Sequence, residues 1–295
     1  MTPAPSRLPE WVRKPERAAA AVHALKRELR RLRLNTVCES ARCPNLHECF
    51  ARGTATFLIL GSRCTRSCAF CAASSRAPAP LPAPPDPAEP EAVARLAAGL
   101  GLRHVVVTSV TRDDLPDGGA SHFAATLRAL RAAQPEARLE VLVPDFRGDL
   151  EAAAIVLAGR PDVFGHNLET VARLYRRVRP QARYERSLAL LAFASRRGGL
   201  VKSGLMAGLG ETPEEIEQAL RDLRAAGVRI VTLGQYLQPS RRHLAVAEFI
   251  PPAQFDAWRH FGLALGFQAV FSGPLVRSSY LAEAVFQQAN GGAAC

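Results

Sequence analysis

Apolar runs and helical stripes alternate along most of the chain. Thr56–Leu60 is a short, mostly apolar run and predicts a buried strand. Further apolar runs predict strands at 104–110, 139–144, 163–168, 201–207 and 229–236. Amphipathic stretches between them predict helices at 119–134, 149–159, 170–178, 184–197 and 213–226. Strand and helix repeated in this way build a parallel sheet with crossover helices. About six such βα units fall short of the eight of a closed barrel, so the expected class is α/β, a partial (β/α)6 TIM-type barrel. Its functional loops belong at the C-terminal ends of the strands. A helix at Ala18–Leu34, striped by Val22, Leu25, Leu29 and Leu32, precedes the barrel. A helix (252–265), a short strand (267–271) and a last helix (279–290) follow it. The expected organisation is an N-terminal extension 1–53, a barrel 54–240 and a C-terminal extension 241–295.

Two stretches break the pattern. Residues 35–53 are Cys-rich and have no period. Ala77–Pro90 holds seven prolines and reads as a stiff connector, not a helix interior or central strand.

Composition narrows the class. With 48% hydrophobic and 22% charged residues, the chain is that of a soluble globular protein. No apolar run approaches the roughly 18–20 residues of a membrane span. Met1–Arg17 lacks the pattern of a secretory signal. A cytoplasmic address follows, and a reducing compartment makes seven cysteines better metal ligands than disulfide partners. The net charge of +11 is concentrated: residues 1–50 carry ten basic and five acidic side chains, and 170–197 carry eight basic and one acidic. An anionic partner is expected.

Cys64, Cys68 and Cys71 form C-x3-C-x2-C just after the first barrel strand. Three soft thiolates on one loop suit three irons of a [4Fe–4S] cluster and leave the fourth open. Phe70, just before the third Cys, is expected either to shield such a cluster or to serve simple packing. A zinc ribbon is the competing reading, but it needs two C-x2-C-like pairs and one is present. Cys38, Cys43 and Cys49 form a second, looser triad, C-x4-C-x5-C. It suits three irons of a second cluster and needs a fourth ligand from elsewhere. Cys295, the last residue, is read as uninvolved.

These cysteines and the words around them resemble the lipoyl synthase family of radical S-adenosylmethionine (SAM) enzymes. The words are Thr36–Asn45 (TVCESARCPN), Leu60-Gly61 with Cys64–Ala72 (CTRSCAFCA), Arg112–Ala120 (RDDLPDGGA), Lys202–Thr212 (KSGLMAGLGET), Gly234–Ser240 (GQYLQPS) and Arg277–Tyr280 (RSSY). They run through nearly the whole chain. The resemblance implies a partial barrel of the radical SAM kind and two [4Fe–4S] clusters. Cys64, Cys68 and Cys71 would hold the SAM-binding cluster. Cys38, Cys43 and Cys49, with Ser278 as fourth ligand, would hold a sacrificial auxiliary cluster that donates sulfur. The implied reaction is radical insertion of two sulfurs, at C6 and C8 of an octanoyl chain on a carrier lysine. Asp113 and Asp114 would meet the methionine end of SAM, and Gly204 and Gly208 its adenosine. Without the resemblance, Ser278 reads as a helix N-cap, and Asp117 with Gly118-Gly119 as a turn and helix start.

The implied partners are octanoylated lipoyl carrier domains (the glycine-cleavage H protein and 2-oxoacid dehydrogenase E2) and a ferredoxin- or flavodoxin-type electron donor. No nucleic acid and no membrane is implied. Thr111, Gly165, Ala245 and the segment 73–78 depart from the family pattern, and none of them is an expected iron ligand. A biotin-synthase-like sulfur inserter is the nearest rival, but it lacks the second triad with RSSY. A non-catalytic, basic iron–sulfur or nucleic-acid-binding protein explains the charge and leaves the triads unexplained.

Overall fold

The computed structural model describes residues 8–13, 19–41, 43–51, 56–73, 82–289 and 291. Ala18, Arg42, the segment 74–81 with Pro78 and Pro80, and Cys295 lie outside them. The chain divides into two compact units. The first comprises Glu16–Ser67 and Ala72–Phe164; the second comprises Met1–Pro15, Cys68–Cys71 and Gly165–Cys295.

In the first unit, α1 (Ala19–Arg31) leads to a two-residue strand β1 (Asn35–Thr36) and two short helices, α2 (Val37–Ser40) and α3 (Leu46–Ala51). β1 pairs antiparallel with β2 (Thr56–Ile59). β2 pairs in parallel with β3 (His104–Ser109), and β3 with β4 (Arg138–Leu142). Helices α4 (Glu89–Gly99), α5 (Ala120–Ala133) and α6 (Leu150–Ala158) cross between strands and pack side by side. Phe57, Ile59, Val105, Val107, Phe123, Leu127, Leu139 and Val141 are buried at the interior of this layering. Branched and aromatic side chains fit such doubly covered strands, which explains their unbroken apolar runs. Asp149 accepts from the backbone N–H of Glu151 and Ala152 and so starts α6. The parallel register sets Ile59 opposite Ser109 and Thr108 opposite Leu142. The loops after β2, β3 and β4 therefore leave one edge together, where a parallel sheet builds its site.

β5 (Val163–Gly165) closes the first unit and opens the second. The second continues with α7 (Tyr175–Val178), α8 (Tyr184–Arg196), β6 (Val201–Ala207), α9 (Pro213–Ala225), β7 (Ile230–Gln235), α10 (Pro252–Ala264), β8 (Ala269–Gly273) and α11 (Ala282–Ala289). β6, β7 and β8 pair in parallel and in chain order. α9 begins with a reciprocal capping box between Thr212 and Glu215, with Pro213 in its first turn.

Several expectations need correction. The Cys-rich stretch, which has no period in the sequence, holds β1, α2 and α3. Pro90, counted with the connector, sits in the first turn of α4, where its missing N–H costs nothing. The expected helix 170–178 is a 3-10 turn followed by the single turn of α7, and Pro180 follows directly. The strand expected at 163–168 is regular only to Gly165. The last helix starts at Ala282, not 279. Among the described residues, no helix is long and apolar enough to cross a membrane.

Candidate active site

After β2 the backbone turns sharply, with Leu60 at φ 68° and Gly61 at φ 83°. The loop that follows carries Cys64, Cys68 and Cys71, all half-buried and none in a disulfide. Its first half belongs to the first unit and is fastened to the loop after β3. Thr65 donates its N–H (2.9 Å) and hydroxyl (3.0 Å) to the Thr111 carbonyl. The Asp113 N–H donates back to the Thr65 hydroxyl at 3.0 Å. Arg66 donates to both Asp113 oxygens, at 2.7 and 2.9 Å, and to Asp145 at 2.6 Å. Arg112 likewise forks onto Asp114 and reaches the Leu60 carbonyl.

Burial opposes the Arg66 charge, but the hydrogen bonds and charges of Asp113 and Asp145 outweigh it and hold its pKa above the ordinary value. The Arg112 hydrogen bonds keep the Asp114 carboxyl below the ordinary carboxylate value. Gly119 is required here, since φ is 92° and a Cβ would strike the Leu60 side chain. The words CTR and RDDLPDGGA are thus two halves of one clamp. Thr111 serves it through its carbonyl, which any residue supplies, so that departure is tolerated.

The second half, Cys68–Cys71, is held inside the second unit by a different set. The Ala69 N–H donates to the Val178 carbonyl at 2.8 Å, and the Leu244 N–H to the Ala69 carbonyl at 3.0 Å. The His243 ring lies 3.2 Å from the Cys71 carbonyl, and the Ser240 hydroxyl contacts its other nitrogen at 2.9 Å. Gln238 and the Tyr236 hydroxyl donate to the carbonyls of His243 and Leu244. The word GQYLQPS thereby braces the cysteine segment. Ala245, the next departure, is exposed.

The second triad sits on α2, α3 and their connection. Thr36 caps α2 by accepting from the Glu39 N–H at 3.3 Å, which sets the turn carrying Cys38. The Cys43 N–H donates to the Cys38 carbonyl at 3.0 Å, and the Cys49 N–H to the Asn45 carbonyl at 2.9 Å. Burial pushes the Cys38 thiol up to about 11, against the pull of its hydrogen bonds with Thr56. Among the described residues, no three His, Cys, Asp or Glu side chains stand close enough together to hold a metal ion.

Ser278 lies half-buried in a turn four residues before α11, so it is not that helix's N-cap. Gly234 on β7 makes room for this turn, because a Cβ there would collide with the Val276 carbonyl. Gly234→Ala is expected to destabilise the chain by about 1–3 kcal/mol in urea unfolding. Gly99→Ala, at a helix end with nothing within 4 Å, is the control and should be near neutral. Equal effects would show that the turn yields freely.

Gly204 and Gly208 are close-approach positions, but toward the protein itself. A Cβ at Gly204 would meet Asn167 at 2.8 Å and Thr232 at 2.9 Å, and one at Gly208 would meet Gln235 and the Glu248 carbonyl. Asn167 in turn donates to Glu169 at 3.1 Å. Loss of solvent pushes the Glu169 carboxyl up, against the Arg179 charge and the Asn167 hydrogen bond. Buried Arg179 donates to the carbonyls of Asn167 and Leu168 and to the Tyr175 hydroxyl. Sequence reasoning missed this polar cluster. Its signal was the run His166-Asn167-Leu168-Glu169-Thr170 directly after an apolar strand.

The chain's kin agree with this architecture. The radical SAM superfamily pattern matches residues 58–223, more than half of the chain. Among solved structures, Streptococcus suis SuiB bound to S-adenosylmethionine aligns over 77% of this chain and 53% of its own, at TM-score 0.58 and 11% identity. Escherichia coli coproporphyrinogen III oxidase (HemN) aligns over 69% and 51%, at TM-score 0.50 and 17% identity. The chain therefore belongs to the radical SAM superfamily, with that superfamily's partial β/α barrel core, extensions at its ends, and dependence on SAM and a [4Fe–4S] cluster.

Sequence relatives are narrower. A lipoyl synthase of Methylococcus capsulatus is 56% identical over 95% of this chain and 87% of its own. One of Thermus thermophilus is 54% identical over the same shares, and one of Caldanaerobacter subterraneus is 52% identical over 97% and 99%. Within the superfamily this chain is a member of the lipoyl synthase family, and so a sulfur-inserting enzyme of lipoyl formation. The donor set suits the implied cluster: the three cysteines of the first loop form no disulfide, and soft thiolates are the ligands that iron–sulfur clusters select.

Proposed function

We propose that this chain inserts sulfur at C6 and C8 of an octanoyl chain carried on a lysine of a lipoyl carrier domain, using two [4Fe–4S] clusters. Cys64, Cys68 and Cys71 hold the first cluster, and Cys38, Cys43, Cys49 and Ser278 hold a second that gives up its sulfur. The observation that carries this reading is the pair of triads. None of the six cysteines is in a disulfide, and each triad lies on a backbone held by main-chain hydrogen bonds.

When bound, the first cluster and SAM supply one-electron cleavage and a radical able to take hydrogen from an unactivated C–H bond, which no protein base can deprotonate. The chain's residues place and shield that chemistry. Arg66, Asp113 and Asp145 fix the loop at Cys64. Leu244 fixes it at Ala69 and His243 at Cys71. Phe70 would cover the cluster, and Asp113 and Asp114 would meet the methionine end of SAM, whereas Gly204 and Gly208 make room for neighbouring side chains. An oxygen ligand such as Ser278 binds iron–sulfur clusters weakly beside thiolate. A weak ligand suits a cluster that must come apart.

The partners in this reading are octanoylated H protein or E2 domains and a ferredoxin- or flavodoxin-type donor, in the cytoplasm. The barrel is 54–240, with the auxiliary ligands on the extensions 1–53 and 241–295.

The test is anaerobic reconstitution followed by reduction with SAM and an octanoyl-lysine peptide. About eight irons per chain are expected, the content of two four-iron clusters. The peptide should gain two sulfurs by mass. A stable total of about four irons, or tight zinc without iron, would sink the two-cluster reading.

A further inference from the structure

A groove of about 660 Å³ opens in the first unit beside the start of the Cys64 loop. It is walled by the end of α1 with the turn after it, the Gly61–Arg63 segment, the proline-rich approach to α4, and α4 itself. Four arginines reach it from three segments: Arg31 and Arg33 from the end of α1 and its turn, Arg63, and Arg95. Two acids also line it, and both are engaged. Glu89 accepts from the Leu60 N–H at 2.8 Å and contacts His122 at 2.8 Å, and Asp86 accepts from the Ala88 N–H at 2.9 Å. Arg31 pairs with Glu28. Arg33, Arg63 and Arg95 are exposed and make no ion pair among the described residues. Arg31, Arg33, Arg63 and Arg95 outnumber Asp86 and Glu89, so the lining is net positive, and Arg63 is the residue immediately before Cys64.

The other basic stretch is less available than its composition suggests. Arg173 forks onto Glu215 at 2.6 and 2.8 Å, Arg179 is buried, and Arg197 stacks over Phe193. The arginines of 170–197 are partly structural, whereas Arg33, Arg63 and Arg95 of the groove make no ion pair among the described residues.

We propose that this groove docks an acidic surface patch of the octanoylated carrier domain, a proposal that rests on the function given above. Complementary charge steers association and fixes orientation. Prolines 82, 84 and 85 make that wall stiff, so little ordering entropy is lost on binding. A carrier held at Arg63 stands one residue from the first ligand of the cluster loop, where its acylated lysine must reach.

The experiment measures binding of reconstituted full-length enzyme to octanoylated H protein at low and high salt. The paired variant Arg33→Glu with Arg95→Glu should weaken binding about ten-fold or more at low salt, and the difference should shrink as salt rises. Arg128→Glu with Arg160→Glu makes the same charge change elsewhere on the first unit and should bind as wild type. Equal weakening by both pairs, or by neither, overturns the groove. Displacement of the carrier by a random-sequence RNA at lower concentration also overturns it. Wild-type sulfur insertion into an octanoyl-lysine peptide, run on the same preparation, separates the two claims. Its failure overturns the function. Its success, with carrier binding indifferent to Arg33 and Arg95, overturns the groove alone.

Discussion

Cys68→Ala is expected to abolish SAM cleavage and to lower reconstituted iron from about eight to about four per chain, one four-iron cluster's worth. The substitution is informative because main-chain hydrogen bonds hold the backbone on either side of Cys68. Ala69 is tied to Val178 and Leu244 through main-chain hydrogen bonds, and Cys71 meets His243 through its carbonyl. The loop therefore keeps its path, and the loss reports on the ligand instead of the fold. Cys43→Ala makes the complementary case. Its segment is likewise held by main-chain bonds, from Cys43 to Cys38 and from Cys49 to Asn45. This variant should keep part of its SAM cleavage while adding no sulfur to the octanoyl peptide. Product analysis for cleaved SAM and for thiolated peptide checks both. If the two variants lose only cleavage, the division of labour between the triads is wrong.

What was legible in the sequence divides along physical lines. The strands Thr56–Ile59, His104–Ser109, Val201–Ala207 and Ile230–Gln235 announced themselves, because strands covered on both faces are mostly apolar along their length. α2 and α3 did not. They are too short for a helical period, and a cap and a few hydrogen bonds set them. α4 was hidden by Pro90, which reads as a breaker until its place in the first turn is known. The cysteines were visible as chemistry from their spacing alone. The residues that hold their loop were not, since Arg66 and Asp145 are 79 positions apart and Cys71 and His243 are 172 apart. Only the fold brings such pairs together. The charge was legible as an excess but not as a surface. Arg179 and Arg173 are spent within the second unit, and Arg33, Arg63 and Arg95 converge from three segments that no local window contains.

Arg66→Met is expected to cost about 3–5 kcal/mol of stability, the range for removing one partner of a buried ion pair. The reason lies in what remains. The Arg66 side chain is 3% exposed and that of Asp145 is fully buried, so Met would take from this carboxylate the guanidinium that meets it at 2.6 Å, where solvent does not replace it. Asp113 is 23% exposed and loses less, because solvent replaces part of the lost bond. Three effects then separate a structural clamp from a merely adjacent charge. Arg66→Lys should recover only part of the loss, since one ammonium cannot fork onto Asp113 and reach Asp145 as the guanidinium does. Arg66→Met combined with Asp145→Leu should be more stable than Arg66→Met alone, because the stranded charge is gone. Urea unfolding of the reduced, cluster-free chain reads both. The third effect is at the cysteines. Arg66 stands midway between Cys64 and Cys68, and its forked hold fixes where the first half of the loop runs. Iron uptake by the first triad should therefore fall in Arg66→Met and return in part with Arg66→Lys. A variant within about 1 kcal/mol of wild type, with full iron, would mean the carboxylates find other partners and the clamp is dispensable.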